Sequence, residues 1–319
     1  MPDEASLRTL SNIDNTQDVS LSNILLDNFI SLYDWGLTDK GSYYNINIPQ
    51  SGIFGGNRDK LRPVKDERYN DGQVWEGYRQ NWVWQTGLSV GTPIQISGVF
   101  VDGTFRATGN VQDPYYINYP DGRVVFDNAV HTTGTVHLAF SHRSVQVVPA
   151  EGVPWFRQVQ QGSFRSDNPT FTQFGSGDWA QLGDTRVQLP CMAVDVMPPS
   201  KFHGFQLGGG QYVYQDVVFY VLAEHHWQVG NLIDIVAAQN DRTIHLFNPD
   251  SAGKSGCLPL NYRNELTSHA LASGRYPDLI SNFLYRTSFI HETRSQDITQ
   301  LSPDLYMGSI RCTTETTPY

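Results

Sequence analysis

Charged side chains, cysteines and long apolar runs are all scarce in this chain of 319 residues. Charged residues make up 17% of it and hydrophobic residues 39%, and the first share is clearly below that of an ordinary soluble domain. The three cysteines, Cys191, Cys257 and Cys312, are far apart and odd in number, so they predict no disulfide framework and suit a reducing cytoplasm. No apolar run approaches the ~18 residues of a membrane span, and the first residues lack the features of a signal peptide. These absences favour a folded chain, away from membranes, that buries surface against partners.

The net charge of −10 also excludes one class of function. Nucleic-acid binding by phosphate neutralisation needs lysine and arginine clustered on one face, and an acidic chain does not offer that balance. The charge is consistent with plain solubility. It is also consistent, on weaker grounds than solubility, with the lining of a channel along which DNA slides without binding.

Aromatic residues are abundant, at 12%, and several fall close together. Trp75, Tyr78, Trp82 and Trp84 lie within ten positions, and 81–85 alternates as a strand does. Trp75, Trp82 and Trp84 can therefore form either the edge of an aromatic core or a docking face for a neighbouring subunit. The sequence leaves both interpretations open.

No complete catalytic, cofactor-binding or metal-binding constellation occurs. Ser251–Ser255 lacks the earlier glycine of a phosphate-binding loop, and the glycines at 207–211 lead into a strand instead of a helix. His225 and His226 are adjacent, so their side chains point apart and do not favour a shared metal. We therefore predict no catalytic residues, no metal and no cofactor, and hence no enzyme.

The first half of the chain predicts a helix followed by a β-meander. Residues 1–17 are polar and predict a flexible arm, and 18–150 predict one domain. Within it, 20–35 has apolar residues at helical spacing, capped by Ser20 or Ser22 and ended at Trp35-Gly36. Two turns, Asp102-Gly103 and Pro120-Asp121-Gly122, separate β-rich runs. The expected strands are 94–101, 104–107, 115–119, 123–127 and 135–148.

The second half predicts a small α+β domain. A linker or extension, 151–188, separates it from the meander, and the domain spans 189–319. Strands are expected at 189–197, 217–222, 243–247, 284–293 and 305–313. The helix 226–239 carries Val229, Leu232, Ile233 and Val236 on one face, which we expect to pack on the strand 217–222. The predicted fold class is therefore mainly β with α+β: a helix plus an antiparallel, barrel-like meander, then a small sheet with one packed helix.

A long loop, 248–284, interrupts the second domain, with a short helix expected near 264–272. Structureless loops of this length are uncommon in compact domains. We interpret it as an arm that reaches a neighbouring subunit, although an ordinary surface loop is the alternative. Its apolar residues are expected to be buried in a groove on that neighbouring subunit; they are Leu258, Leu260, Tyr262, Tyr276 and Leu279.

Two stretches carry a resemblance to a known family. The pattern GVFVDGTF…YYINYPDGRVVFD, within 94–148, resembles virion structural proteins of tailed bacteriophages. The order of elements and the pattern LPCMAVDV…GFQLGGGQYVYQDVVFYVL…NLIDI, within 189–313, resemble the tail-terminator and neck type of phage ring protein.

The resemblance implies a non-enzymatic subunit of a symmetric ring in the neck that joins phage head to tail, a head–tail connector or tail terminator. The implied partners are further copies of the chain in a cyclic homo-oligomer and other neck and tail proteins. Genomic DNA would pass through without specific binding, and the protein would reside in the virion after assembly in the host cytoplasm. The alternative is a baseplate, collar or fibre-attachment protein that binds carbohydrate or a receptor, which the aromatic, asparagine-rich composition also fits.

Overall fold

The computed structural model describes residues 20–48, 58–152, 188–199, 201–206, 209–268, 275–303 and 305–317. It is mainly β, with 40% strand against 19% helix, and its curled antiparallel sheets form half-barrels. The predicted fold class is thus confirmed. The predicted arm at 1–17 and most of the predicted extension at 151–188 lie outside the described residues.

The strands are short in the first half of the chain and long in the second. They are β1 (Tyr43–Ile46), β2 (Lys60–Pro63), β3 (Val74–Glu76), β4 (Gly98–Val101), β5 (Thr104–Ala107), β6 (Tyr115–Asn118), β7 (Arg123–Phe126), β8 (Val136–His137), β9 (Phe140–Arg143), β10 (Gln146–Pro149), β11 (Cys191–Val196), β12 (Lys201–Gln206), β13 (Gly209–Ala223), β14 (Thr243–Phe247), β15 (Leu284–Ser295), β16 (Thr299–Ser302) and β17 (Leu305–Thr317). The described helices are α1 (Leu21–Asp39), α2 (His226–Ala237), α3 (Pro249–Lys254) and α4 (Tyr276–Asn282).

The first unit, which we call the meander unit, comprises β1 to β9. Its seven-stranded sheet has the order β5-β4-β8-β2-β3-β7-β6, and β1 pairs with β9 beside it. The predicted hairpins are present. Asp102 and Gly103 both have positive φ, 48° and 79°, between β4 and β5, and Gly122 (φ 62°) completes the turn between β6 and β7. This is the left-handed backbone that such turns require.

The strand predicted at 135–148 is wrong as one element. The chain there forms three strands, and each has a different partner: β8 pairs with β2 and β4, β9 with β1, and β10 with β11. Leu138 and Phe140 lie in the meander core, whereas Val147 lies in the core of the other sheet. The segment reads as one strand because apolar residues recur on both sides of the polar stretch 141–144, where the chain passes from one core to the next.

The second unit, which we call the sheet unit, is built on an eight-stranded sheet of order β10-β11-β13-β17-β15-β14. In it β12 pairs with β13, and β16 pairs with β17. Every pairing is antiparallel except the parallel pair β10–β11. Its apolar core lies between one face of the sheet and the helices α1 and α2.

Helix α1 belongs to the sheet unit, so its predicted grouping with the meander is wrong. Its buried Ile24, Leu25 and Phe29 share a core with Phe219 of β13, and the rings of Phe29 and Phe219 meet edge to face at 5.9 Å between centroids. An amphipathic helix shows that it needs an apolar partner but not which sheet supplies it.

The ends of α1 are partly as predicted. Ser20 caps the start, since its hydroxyl accepts a hydrogen bond from the Asn23 amide at 3.3 Å. The helix continues through Gly36, however, and ends at Asp39. Gly41, with φ 89°, takes the left-handed position after it.

Helix α2 packs as its sequence predicts. Val229, Leu232, Ile233 and Val236 are its buried residues, and they lie in one cluster with Val217, Phe219 and Val221 of β13. The helix crosses β17 as well, where a Cβ on Gly308 would stand 2.6 Å from the Ile233 side chain and 2.8 Å from that of Val229. The missing side chain at Gly308 lets the helix approach the sheet closely.

The helix predicted near 264–272 is wrong for 264–268, the part that the structure describes. Residues 264–268 form turns and a bridge between Leu260 and Leu266, and 269–274 lie outside the described residues. Helices α3 and α4 stand on either side instead. Asn248 caps α3 by accepting a hydrogen bond from the Asp250 amide at 3.0 Å, with Pro249 at the first helical position. Both are recognised signals for a helix start.

Candidate functional site

The tryptophans predicted as docking candidates lie in the core of the meander unit. Trp75 and Trp82 are 1% and 0% exposed, and Trp84 is 6% exposed. The indole N–H of Trp75 donates to the Gly72 carbonyl at 2.8 Å, and that of Trp82 donates to the Arg79 carbonyl at 2.7 Å. These side chains cannot reach a neighbouring subunit, so the docking interpretation is wrong and the core interpretation holds.

The predicted arm residues are mostly covered by their own chain. Tyr276 and Leu279 are buried with Phe247 in a small cluster that Leu258 also contacts, whereas Leu260 packs on the meander core. Tyr262 is different, because 87% of it is exposed. The inference that these five side chains need an intermolecular groove is therefore wrong for four of them.

The segment 248–284 instead connects the two units. The Arg275 guanidinium donates to the Thr86 carbonyl of the meander unit at 2.8 Å. The Tyr119 amide donates to the Asn264 carbonyl at 3.3 Å. A loop with these contacts forms part of the joint between the units, which is why it carries more apolar residues than a free surface loop needs.

The histidines and cysteines of the described residues do not form a metal-binding or catalytic cluster. Among the described residues, no three His, Cys, Asp or Glu side chains are grouped as metal ligands would be. His225 precedes α2 and stacks on Trp227, whereas His226 contacts Tyr306 edge to face. All three cysteines are free, and burial raises the pKa of the Cys191 and Cys312 thiols to about 12, which keeps them protonated at neutral pH.

A cleft of about 540 Å³ lies between the two units. We call it the inter-unit cleft. The meander unit lines it with Tyr44, Arg58, Tyr78, Arg79 and His142, and the sheet unit lines it with Glu224, Trp227, Gln228 and Asn231. Helix α2 positions its polar face there because its apolar face is held on the sheet.

One wall of the inter-unit cleft is cationic although the chain is acidic. The guanidinium groups of Arg58 and Arg79 lie 5.0 and 5.7 Å from the centroid of the Tyr78 ring, a distance at which cations are attracted to aromatic faces. Arg79 also donates to the Leu189 carbonyl at 3.2 Å. Burial, together with the nearby charge of Arg79, lowers the pKa of His142 to about 3. His142 is therefore neutral at physiological pH.

The opposite wall and the rim carry aromatic, neutral polar and acidic groups, the last from Glu224. Tyr44 and Trp227 are each 62% exposed. The His225 ring stacks on Trp227 at 6.2 Å and 15°. The Oε1 atom of Gln228 is buried and accepts no hydrogen bond from any described residue. The cleft thus offers donors, acceptors and exposed ring faces together.

A second candidate surface is the side of the large sheet opposite α1 and α2, which we call the outer face. The Tyr214 hydroxyl donates to Glu315 at 2.6 Å, and His291 lies 2.6 Å from the same carboxylate oxygen. The Tyr214 and His291 rings stack at 5.9 Å. Nearby, Asp216 pairs with Arg311 and accepts from Thr313 at 2.9 Å. Around these residues the outer face is polar, aromatic and of mixed charge, whereas towards β11 it carries a buried apolar cluster that includes Cys191, Ala193 and Leu222.

Comparison of the chain with protein-family models, with curated proteins and with solved structures returns no match. Among the described helices, none combines the length and apolarity needed to cross a membrane.

Sequence reasoning did not find the inter-unit cleft, because its residues come from distant parts of the chain. One signal was readable. Trp227 lies on the side of α2 opposite Val229 and Val236 when the helix is projected at 100° per residue. A tryptophan on the polar face of an amphipathic helix indicates an exposed contact surface.

Proposed function

We propose that the protein is a non-enzymatic structural subunit of a tailed-bacteriophage particle, which assembles into a cyclic ring at the neck between head and tail. The proposal begins from the resemblance of 94–148 and 189–313 to phage neck and tail-terminator proteins. A sheet with a helix packed across it is the architecture that this resemblance implies, and the mainly β fold is compatible with it.

The observation that carries the proposal is the outer face of the large sheet. One face of this sheet is occupied by α1 and α2, whereas the other presents half-exposed rings and ion pairs on strands of up to 15 residues. Phe289 of β15 and Tyr214 of β13 are only partly buried on this side. Aromatic residues amid polar and charged groups are typical of protein–protein interfaces.

The charges of the outer face suit contact with a second copy of the chain. Asp216, Glu292 and Glu315 stand among Arg294 and Arg311, so each sign is available to a partner that carries the same set. A ring forms when such contacts are head-to-tail and the rotation between neighbours divides a full turn. The net charge of −10 would let DNA pass through the ring without binding.

The test is a charge placed on the outer face. Phe289→Glu should weaken assembly at least about tenfold, because the glutamate would be desolvated at the interface. Phe105→Glu is the matched control, since Phe105 is 48% exposed on the hairpin of the meander unit. Native mass spectrometry would measure the oligomer, particle imaging would measure its symmetry, and circular dichroism would check that each variant folds.

Single copies without cyclic symmetry in imaged particles would contradict the proposal. A ring that survives Phe289→Glu but not Phe105→Glu would move the interface to the meander unit.

A further inference from the structure

The inter-unit cleft has the size and the lining of a small-molecule site. Its volume of about 540 Å³ falls within the roughly 300–1,000 Å³ that is typical of ligand pockets. Such sites occur preferentially where two units of a chain meet. The walls here are held by separate cores, so the cleft is formed before any ligand enters.

Two exposed rings border the cleft, one from each unit. Trp227 and Tyr44 are each 62% exposed, and each rests on a histidine: Trp227 on His225, and Tyr44 on His142 at 5.7 Å between ring centroids. Most of each ring stays open to water. A rigid aromatic ring provides a large contact area at low entropic cost, and it suits the C–H face of a ring-shaped ligand.

The hydrogen-bonding groups specify a ligand that both donates and accepts. Gln228 lines the cleft, and the oxygen of its side-chain amide is an acceptor that receives no hydrogen bond from the described residues. Glu224 is a second acceptor in the lining, whereas Arg58 and Arg79 are donors. Hydroxyl groups satisfy both kinds, since each donates one hydrogen bond and accepts others.

This balance argues against a purely anionic ligand. A phosphate or carboxylate would suit Arg58 and Arg79, but an ionised carboxylate has no proton to donate to Gln228. It would also meet the like charge of Glu224, which acts on Arg79 across the same cleft.

We propose that the inter-unit cleft binds a pyranose unit of a glycan. The sugar would stack on Trp227 and Tyr44, and its hydroxyls would donate to Gln228 and Glu224 and accept from Arg58. The proposal does not rest on ring assembly, because the cleft lies within one chain.

The experiment uses the full chain on a glycan array of neutral hexose, N-acetylhexosamine and uronic-acid oligosaccharides, followed by calorimetric titration of the best binder. Trp227→Ala and Tyr44→Ala should each weaken binding at least tenfold. Gln228→Met, which keeps the side-chain length but removes the amide, should weaken it severalfold. Tyr262→Ala is the matched control: Tyr262 is 87% exposed but outside the cleft, so binding should be unchanged.

Three outcomes would overturn the proposal. They are the absence of any bound glycan, binding that survives both Trp227→Ala and Tyr44→Ala, and tighter binding of inorganic phosphate or hexaglutamate than of any sugar. If circular dichroism shows that Trp227→Ala does not fold, Tyr44→Ala keeps the test decisive. The size of the oligomer, measured on the same samples, tests the ring proposal separately, so a failure of glycan binding can be distinguished from a failure of ring assembly.

Discussion

The meander unit and the sheet unit bury different kinds of side chain. The meander strands are two to four residues long, and their core contains Trp75, Trp82, Phe126 and Phe140. The sheet unit has strands of up to 15 residues and a core that is largely aliphatic under two helices. Short strands form few ladder hydrogen bonds, so large rings and side-chain hydrogen bonds must supply more of the cohesion.

The two units also differ in the charge of the polar side chains that they bury. In the meander unit, Glu76 is fully buried between Arg62 and Arg123, at 3.4 and 3.1 Å. In the sheet unit, the buried polar residues on β13, β15 and β17 are neutral: Gln215, Ser288, Ser309, Thr314 and Thr316. The lesson is that a long ladder tolerates small hydroxyls, whereas the short-strand unit depends on charges that must stay paired.

The largest effect is expected from a charge in the aliphatic core. Ile233→Asp would bury a carboxylate without a partner against β13 and β17, and should cost about 4 kcal/mol or more. Ile235→Asp is the control on the same helix, since Ile235 is 39% exposed, and it should change little. Thermal melts by circular dichroism measure both. An unchanged melting temperature for Ile233→Asp would mean that the buried face of α2 is assigned incorrectly.

The buried ion pairs of the meander unit provide the next test. Glu76→Gln removes the buried carboxylate that pairs with both Arg62 and Arg123. It should destabilise the protein by about 3 kcal/mol because both guanidinium groups lose this counter-charge, although Arg123 keeps Asp66 at 3.5 Å. Glu292→Gln is the matched control in the sheet unit: Glu292 pairs with Arg294 at 2.8 Å but on the surface, so no measurable change is expected. Urea titration gives both values. Equal effects would remove the distinction between the two units.

The parts of the fold that could be predicted from the sequence are those that a local pattern of residues determines. The face of α2 follows from Val229, Leu232, Ile233 and Val236, and the β4–β5 hairpin follows from Asp102-Gly103, because each pattern is local. Strands β2 and β3 escaped prediction, since three or four residues show no clear periodicity.

The inter-unit cleft lay beyond local reasoning for a different physical reason. Arg58, His142 and Glu224 are far apart in sequence and meet only because two separately built cores fix their positions. The tryptophan cluster was visible, but tryptophans on one face of an alternating stretch fit a buried core edge and an exposed docking face equally well. Burial of Trp75 and Trp82 therefore had to come from the structure.

The smallest of these effects is a dependence on pH that should be specific to the meander unit. Burial, assisted by Arg79, lowers the pKa of His142 to about 3 in the folded protein, against about 6.5 in the unfolded chain. The neutral form is favoured on folding, so this stability is fully present above pH 6.5 and is lost as the pH falls towards 3. Between pH 7 and pH 5 the loss should be about 2 kcal/mol.

The variant His142→Gln separates this contribution from other titrations. It stays neutral at both pH values, so its free energy of unfolding should fall by about 2 kcal/mol less than that of the unmodified protein over the same interval. Urea unfolding at pH 7 and pH 5 measures the difference. Parallel slopes for the unmodified chain and His142→Gln would show that the imidazole is not kept neutral by burial, and the meander unit would then lose its distinctive sensitivity to acid.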